Sequence, residues 1–146
     1  MKRGFRLAGV LRARQAQEDA ARGEVLRARR GAAQAAEAVE ARDRTLATHQ
    51  VPDEDTARAL VAALTARQAM AASLALARQL AELAESRVAE RAEELTVAAQ
   101  RRRTVEKLAE RHAAERQRRD LRADQSALDE LATTDPQRSA VREVRS

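Results

Sequence analysis

The sequence predicts an all-α protein: a long antiparallel two-helix coiled coil (a helical hairpin) whose second helix is longer than its first. Alanine fills 36 of the 146 positions, whereas the bulkier Leu, Val, Met and Phe together fill only 28. A globular core at normal packing density needs more large side chains than that. Four glycines and two prolines leave few turns. Apolar residues recur at alternating spacings of three and four, which is typical of coiled coils.

The first helix is predicted over about residues 5–48. A stripe spaced alternately by four and three residues is apolar at nine of its twelve positions, and this spacing places side chains on one narrow face of a helix. We call this face of either helix the seam. Its members in the first helix are Leu7, Leu11, Arg14, Glu18, Ala21, Val25, Ala28, Ala32, Ala35, Val39, Arg42 and Leu46. The polar members are Arg14, Glu18 and Arg42. Either the arginines snorkel and the glutamate is exposed, or these side chains contact a partner. A polar group in a seam can also fix the register of the two helices.

The turn between the helices is predicted at residues 49–55. Pro52 disfavours helical geometry at Val51. Asp53 or Asp55 can cap the next helix, whose positive dipole end suits acidic residues. No comparably strong break interrupts either stripe.

The second helix is predicted over about residues 56–133. Its seam is again apolar at nine of twelve positions, which are Leu74, Ala77, Ala81, Ala84, Val88, Arg91, Leu95, Ala98, Arg102, Val105, Ala109 and His112. Leu76, Leu80 and Leu83 form an extra row, the leucine row, on a different face. Because both rows cannot face one partner helix, we expect the leucine row to contact a third surface.

Two further expectations concern the ends of the chain. The second helix is expected to stop before Pro136, which leaves a frayed tail at residues 134–146. A turn centred near Val51 places residue i opposite about residue 103 − i. Phe5 is then expected near Ala98, and about 35 residues of the second helix remain beyond the first.

The charge of the chain is unevenly distributed. Residues 1–30 carry a net charge of +6 and residues 101–122 carry +5, whereas residues 31–100 carry −4 and residues 123–146 carry −2. A hairpin brings the two basic blocks to the same end. This end either docks on an acidic protein surface or on lipid headgroups, or is simply a solvated coiled-coil surface with i,i+4 ion pairs.

Arg101, Arg102 and Arg103 form the densest positive run, which we call the basic cluster. Three consecutive arginines could meet phosphates. The sequence offers no aromatic platform for stacking bases, and no nucleic-acid-binding motif is recognisable. Nucleic acid is therefore not an expected partner.

The residue types that catalysis and metal binding need are scarce. The chain has no cysteine, which excludes a disulfide frame, a thiolate metal site and a cysteine nucleophile. A two-helix hairpin also lacks a deep pocket. His49 lies near Asp53 and Asp55 in a flexible turn that rarely organises a metal, and His112 lies on the seam as a packing residue. We expect no enzyme activity, no cofactor and no bound metal.

Membrane insertion is not expected either. The longest run without a charged residue has ten residues, from Gln68 to Ala77, which is too short to span a bilayer. Arg12, Arg14 and Glu18 interrupt the apolar stretch that a signal peptide would need after its basic start. The sequence therefore predicts a soluble, cytoplasmic protein.

Two local patterns resemble those of a known family. The first joins Phe5, Arg6, Leu7, Val10, Leu11, Arg14, Glu18 and Ala21. The second joins Val105, Glu106, Lys107, Leu108, Glu110 and Arg111, followed by Leu128, Asp129, Glu130, Leu131 and Ala132. At this spacing the two together resemble the FliJ family, small coiled-coil proteins of flagellar type III export. The resemblance covers residues 5–132.

The resemblance implies a coiled coil similar to the stalk (γ) subunit of rotary ATPases, with no cofactor and no chemistry of its own. The implied partners are the hexameric flagellar export ATPase, the cytoplasmic domain of the export gate and the export chaperones. The implied location is the cytoplasm and, peripherally, the cytoplasmic face of the cell membrane. The equivalent stalk of a virulence-type secretion system and a nucleic-acid-associated or scaffold coiled coil remain alternatives.

The family patterns and the basic cluster together give the candidate partner-binding residues. These are Phe5, Leu7, Leu11, Arg14, Glu18, Arg101, Arg102, Arg103, Lys107, Leu108, Arg111, Leu128, Asp129 and Leu131.

Overall fold

The protein folds as two helices, α1 (Arg6–Thr48, 43 residues) and α2 (Ala57–Glu143, 87 residues). The computed structural model describes the backbone of residues 6–51 and 56–143, and the side chains of residues 7–51 and 56–133. The described part of the chain contains no strand. The two helices pack against each other, and the second is longer than the first, so the predicted helical hairpin is confirmed. Phe5 lies outside the described residues.

The predicted seam is the face that each helix buries. Of the twelve seam positions in α1, only Arg42 is exposed, and of the twelve in α2 only Arg91 and His112 are exposed. Alternate spacings of three and four keep one side of a helix against its neighbour over many turns. The predicted packing role of His112 is wrong, because its side chain is exposed.

The start of α2 is capped by Thr56. Its hydroxyl oxygen accepts a hydrogen bond from the backbone N–H of Ala59 at 3.4 Å, which satisfies one of the donors that a helix leaves unpaired in its first turn. The expected caps Asp53 and Asp55 lie outside the described residues.

The end of α2 lies further along the chain than the sequence predicts. The helix continues to Glu143 and passes through Pro136, so the expectation of a helix end near residue 133 and a non-helical tail over 134–146 is wrong for residues 134–143. Proline cannot donate a backbone hydrogen bond within a helix, but its fixed φ is close to the helical value. The helical path continues through Pro136 at a cost, because the position lacks a backbone donor and the proline ring crowds the carbonyl four residues earlier.

The pairing register also differs from the expectation. Polar side-chain contacts between α1 and α2 include Glu18 with Arg102, Arg42 with Ser73, and Asp43 with Arg78. The residue numbers in these pairs add up to 120, 115 and 121, not to about 103, so the expected pairing is wrong. The cause is the connection after Thr48, which is not a tight turn.

The first turns of α2 extend past the end of α1, because the observed register puts Thr48 opposite roughly residue 70. An eight-residue connection is long enough to run beside those turns, since an extended residue covers about 3.3 Å and a helical one only 1.5 Å. Ala63 lies in this part of α2 and is buried, and His49 at the start of the connection is half-buried. His49 at the start of the connection is therefore partly covered by the hairpin.

Residue contacts divide the chain into two units. The larger unit, Arg12–Arg102, contains most of the core, namely Glu18, Val25, Ala32, Ala63, Leu74 and Ala77. Two of its buried residues are large aliphatic ones and three are alanines, so each helical turn buries little apolar area.

The smaller unit combines Met1–Leu11 with Arg103–Ser146. Ala109 is its buried residue, and Leu7 and Leu11 are half-buried. Every residue from 110 to 133 is exposed. We call residues 110–133 the bare segment. The part of α2 predicted to extend beyond α1 begins at Ala99. The bare segment begins eleven residues later, because the observed register pairs α1 with residues further along α2.

Candidate interaction surfaces

A buried ion pair lies in the seam of the larger unit. The Nε of Arg102 donates to Oε2 of Glu18 at 2.5 Å, and a terminal nitrogen of Arg22 donates to Oε1 of Glu18 at 2.6 Å. Glu18 is only 4% exposed, and the Arg102 side chain is 23% exposed. Gln15 and Asp19 complete the rim of the shallow depression around the pair. Both carboxylate oxygens of Glu18 are thus satisfied by cations, which is the condition for burying a charge.

A second ion pair between the helices lies in solvent. Arg78 donates to Oδ1 of Asp43 at 3.4 Å, and the two side chains are 60% and 58% exposed. An exposed pair of this kind contributes roughly 0–1 kcal/mol. It provides a matched comparison for the buried pair, because it joins the same two helices.

Two of the interhelical contacts were not predicted from the sequence. Arg42 donates from Nε to the hydroxyl of Ser73 at 3.0 Å, so this exposed seam residue bonds within the hairpin. Neither this bond nor the pair of Asp43 with Arg78 can be found without the correct register. Glu18 and Arg102 do carry a signal in the sequence, because they are opposite charges on the two seams.

The basic cluster does not form one positive surface. Arg102 turns into the seam and pairs with Glu18. Arg101 is exposed beside a depression lined by Glu90, Glu93 and Glu94. Arg103 is exposed in the smaller unit. The guanidinium of Arg102 is thus engaged inside the hairpin, and the partner-binding role expected for the three arginines stays a prediction.

Charged side chains near the basic cluster compensate one another. Arg27 hydrogen-bonds to Glu24, and Arg91 donates to Glu94 at 2.7 Å. The guanidinium of Arg27 lowers the pKa of Glu24 below its ordinary value, by its hydrogen bond and then by its charge, and the charge of Arg91 lowers it further. Glu94 in turn raises the pKa of Arg91, with a smaller contribution from Glu24. These pairs form a network across the two helices.

The leucine row lies on the surface of the larger unit. Leu76, Leu80 and Leu83 are between 54% and 57% exposed. Leu76 and Leu80 border a groove of about 130 Å³ between the helices, and Ala35 and Ala38 of α1 line its other side. The hairpin thus leaves a narrow apolar groove open, and the expected contact of the leucine row with a third surface stays a prediction.

The bare segment presents a second uncovered surface. Leu121, Leu128 and Leu131 are 61–68% exposed, and the neighbouring motif residue Leu108 is 49% exposed. The motif residues Lys107, Arg111 and Asp129 are exposed as well. A lone helix whose leucines and charges all face water gains little from packing.

The motif residues near the N-terminus have a different environment. Leu7, Leu11 and Arg14 are half-buried and Glu18 is buried. Arg14 donates to the side-chain oxygen of Gln17 at 2.9 Å. These residues therefore belong to the packing of the hairpin, whereas the C-terminal motif residues from 107 onward are accessible.

Groups that could organise chemistry are not apparent among the described residues. No set of three or more His, Asp or Glu side chains in this part of the chain could hold a metal ion. The Nε2 atom of His49 is buried without a hydrogen-bond partner, but the acidic residues expected near it lie outside the described part. No arrangement for general acid–base work follows from a single imidazole.

One window of α2 is apolar enough to cross a membrane by length and composition alone. It spans 18 residues within Ala57–Thr133, has a mean hydropathy of 1.5, and is 11% buried. Alanine supplies much of this hydropathy, and the first half of α2 also contains Ala63, Met70 and Leu74, which are buried or half-buried. A single window of this kind does not establish a membrane span.

The two long helices, packed along seams with alternate spacings of three and four residues, define a coiled-coil protein. The chain matches the family model described as "Flagellar FliJ protein" over residues 1–140. It therefore belongs to the FliJ family, which confirms the resemblance seen in the sequence, and it is a flagellar export-associated protein of a non-enzymatic family. No curated protein and no solved structure matches the chain.

Proposed function

We propose that this protein is the coiled-coil stalk of the flagellar type III export apparatus. In this proposal it binds the ring of the export ATPase, couples the ring to the cytoplasmic domain of the export gate, and escorts export chaperones. It catalyses no reaction itself, and it works in the cytoplasm and at the cytoplasmic face of the membrane. Family membership supports the flagellar role over the virulence-type stalk and over a nucleic-acid scaffold.

The observation that carries the proposal is the bare segment. A rotary stalk presents one helix beyond its partner helix, and that longer helix enters the ring. Here residues 110–133 continue α2 with every side chain exposed. Leucines that are exposed along a helix favour docking on another protein. We assign the ATPase ring to this segment.

A stalk that couples two partners needs a second surface. The leucine row offers one, because its three leucines are more than half exposed and two of them, Leu76 and Leu80, border an apolar groove. We assign the export gate to this groove, which lies in the unit that does not contain the bare segment. The two partners then bind without competing for the same residues.

A truncation after Ala109 tests the assignment of the ring. It removes the bare segment and keeps Ala109 itself, which is buried. The hairpin is expected to keep its helicity, whereas stimulation of the purified export ATPase and co-purification with it are expected to disappear. Truncated protein that still stimulates the ATPase contradicts the assignment.

A separate variant tests the assignment of the gate. Leu80→Asp places a charge in the open groove, where it remains hydrated, so the hairpin is expected to fold. Binding to the cytoplasmic domain of the gate is expected to fall, while stimulation of the ATPase stays normal. Loss of both activities, or of neither, contradicts the division of the two surfaces.

A further inference from the structure

We infer that Glu18 and Arg102 fix the register in which α1 and α2 pair, and thereby decide which residues of α2 remain uncovered. The pair is the buried charged contact between the two helices of the larger unit, with 2.5 Å between Nε of Arg102 and Oε2 of Glu18. Arg22 holds the other oxygen from within α1. The inference concerns the protein's own fold and holds whatever partner the protein binds.

The alanines of the seam do not select a register. In the register that the Glu18–Arg102 pair defines, Ala35 of α1 lies opposite Ala84 of α2. A shift of one heptad, or seven residues, places Ala35 opposite Ala77 and Ala28 opposite Ala84. Alanine meets alanine in both arrangements, so the apolar area buried in these layers is nearly the same.

The larger seam residues also tolerate the shift. Val25 lies opposite Leu95 in the observed register and opposite Val88 after a shift of seven residues. Val39 lies opposite Ala81 in the first case and opposite Leu74 in the second. Every one of these layers is apolar in both arrangements, because a heptad repeat returns each position to the same face.

Glu18 does not tolerate the shift. After a shift of seven residues it faces Leu95 instead of Arg102, and Arg22 alone remains beside it. Removing one partner of a buried ion pair leaves a charge that the interior cannot solvate. The population ratio of the observed to the shifted register therefore changes by a factor on the order of a hundred or more. A single polar contact in a seam selects register in coiled coils in the same way.

The connection between the helices does not prevent the shift. A displacement of seven residues moves α2 by about 10 Å along α1. Eight residues separate Thr48 from Ala57, and a chain of this length can reach across the separation in either register, because an extended residue covers about 3.3 Å. Without the buried pair, α1 would also populate a register in which it covers a stretch of α2 displaced by seven residues.

Cysteine cross-linking measures the register directly, because the chain contains no natural cysteine. One reporter carries Ala35→Cys with Ala84→Cys and joins in the observed register. The other carries Ala35→Cys with Ala77→Cys and joins only after a shift of seven residues. Both use alanine-to-cysteine changes, so the reporters perturb the seam equally.

The decisive variant is Glu18→Leu with Arg102→Leu, which keeps the seam apolar and the hairpin helical. We expect the unchanged protein to cross-link only at positions 35 and 84, and the double-leucine protein to cross-link at both sites. The charge-reversed variant Glu18→Arg with Arg102→Glu restores an opposite-charge pair and is expected to return to the single site. Asp43→Asn with Arg78→Gln removes the exposed pair and serves as the matched control, with the single site expected.

A double-leucine protein that cross-links only at positions 35 and 84, with normal helicity by circular dichroism, overturns the inference. So does a control variant that populates the shifted site as much as the double-leucine variant does. Failure of the proposed stalk function in either variant does not bear on this result, because the reporters measure pairing in the isolated protein.

Discussion

Glu18 and Arg102 lie 84 positions apart in the sequence and meet at 2.5 Å between α1 and α2. The contact joins an early seam position of α1 to a late seam position of α2 in an otherwise alanine-rich interface. Both contacts pair an arginine with a carboxylate. Because the Glu18–Arg102 pair is buried whereas the Asp43–Arg78 pair is exposed, they contribute differently to the free energy of unfolding.

Glu18→Gln is expected to lower the free energy of unfolding by about 2–3 kcal/mol, since Arg102 and Arg22 lose the charge they share. The value lies below that of a fully buried pair because the Arg102 side chain is 23% exposed. Asp43→Asn is expected to change the stability by less than about 0.5 kcal/mol. Urea unfolding followed by circular dichroism compares the two, and equal losses would show that burial does not distinguish the pairs.

The seam could be predicted because periodicity is a local property of the sequence. The positions of Leu7, Val25 and Leu74 on the buried face follow from spacing alone. The same spacing carries no information on how far one helix slides along the other. That distance depends on the path of the connection and on the Glu18–Arg102 contact, which are non-local.

The remaining differences have equally specific causes. Pro136 was interpreted as a stop, although α2 continues through it to Glu143. The run of three arginines predicts one basic cluster, whereas consecutive residues of a helix point about 100° apart, and Arg102 turns into the seam. Residues that are grouped because they are consecutive in the sequence, and not because they share a helical face, can be separated by the fold.

Leu11→Asp is expected to destabilise the start of the hairpin by about 1–2 kcal/mol, and Leu7→Asp by a similar amount. Both side chains are half-buried in the smaller unit, so the introduced carboxylate loses part of its hydration. Leu131→Asp is the control, because Leu131 is 68% exposed. If thermal unfolding of all three variants matches that of the unchanged protein, the seam does not extend to the start of α1.

The basic cluster is expected to separate into two kinds of arginine. Arg101→Glu with Arg103→Glu should leave the stability unchanged and weaken stimulation of the export ATPase, and the effect should shrink as salt screens exposed charges over roughly 8 Å. Arg102→Glu should instead destabilise the hairpin, because it places a second carboxylate against Glu18. Identical behaviour of Arg101, Arg102 and Arg103 in both measurements contradicts this division.

Acid is expected to weaken the charge network around Glu24. Arg27 and Arg91 hold the pKa of Glu24 below its ordinary value of 4.5. The contribution of Glu24 to the stability of the folded state is therefore fully present above pH 4.5. It is lost as the pH falls through the lower pKa that Glu24 has in the folded state. Between pH 5 and pH 2 the melting temperature of the unchanged protein should fall, and it should fall by more than the melting temperature of Glu24→Gln does. Parallel pH profiles would mean that the network does not stabilise the fold.

Gly31→Ala is expected to stabilise the protein. An added Cβ at Gly31 meets no atom within 4 Å, the residue lies inside α1, and its backbone is exposed to water. Glycine in a helix interior costs about 1 kcal/mol relative to alanine, because the unfolded chain loses more conformational freedom at glycine.

The reverse change Ala33→Gly, at an exposed position of the same helix, should cost a similar amount. Gains of this size correspond to a few degrees in the melting temperature, and they matter in a hairpin whose seam buries so little area. Differential scanning calorimetry or thermal circular dichroism of both variants gives the comparison. The contrary result is a melting temperature that Gly31→Ala leaves unchanged or lowers, although Ala33→Gly still lowers it. This result would indicate that the glycine is required at position 31, for example by a partner that approaches α1 closely there.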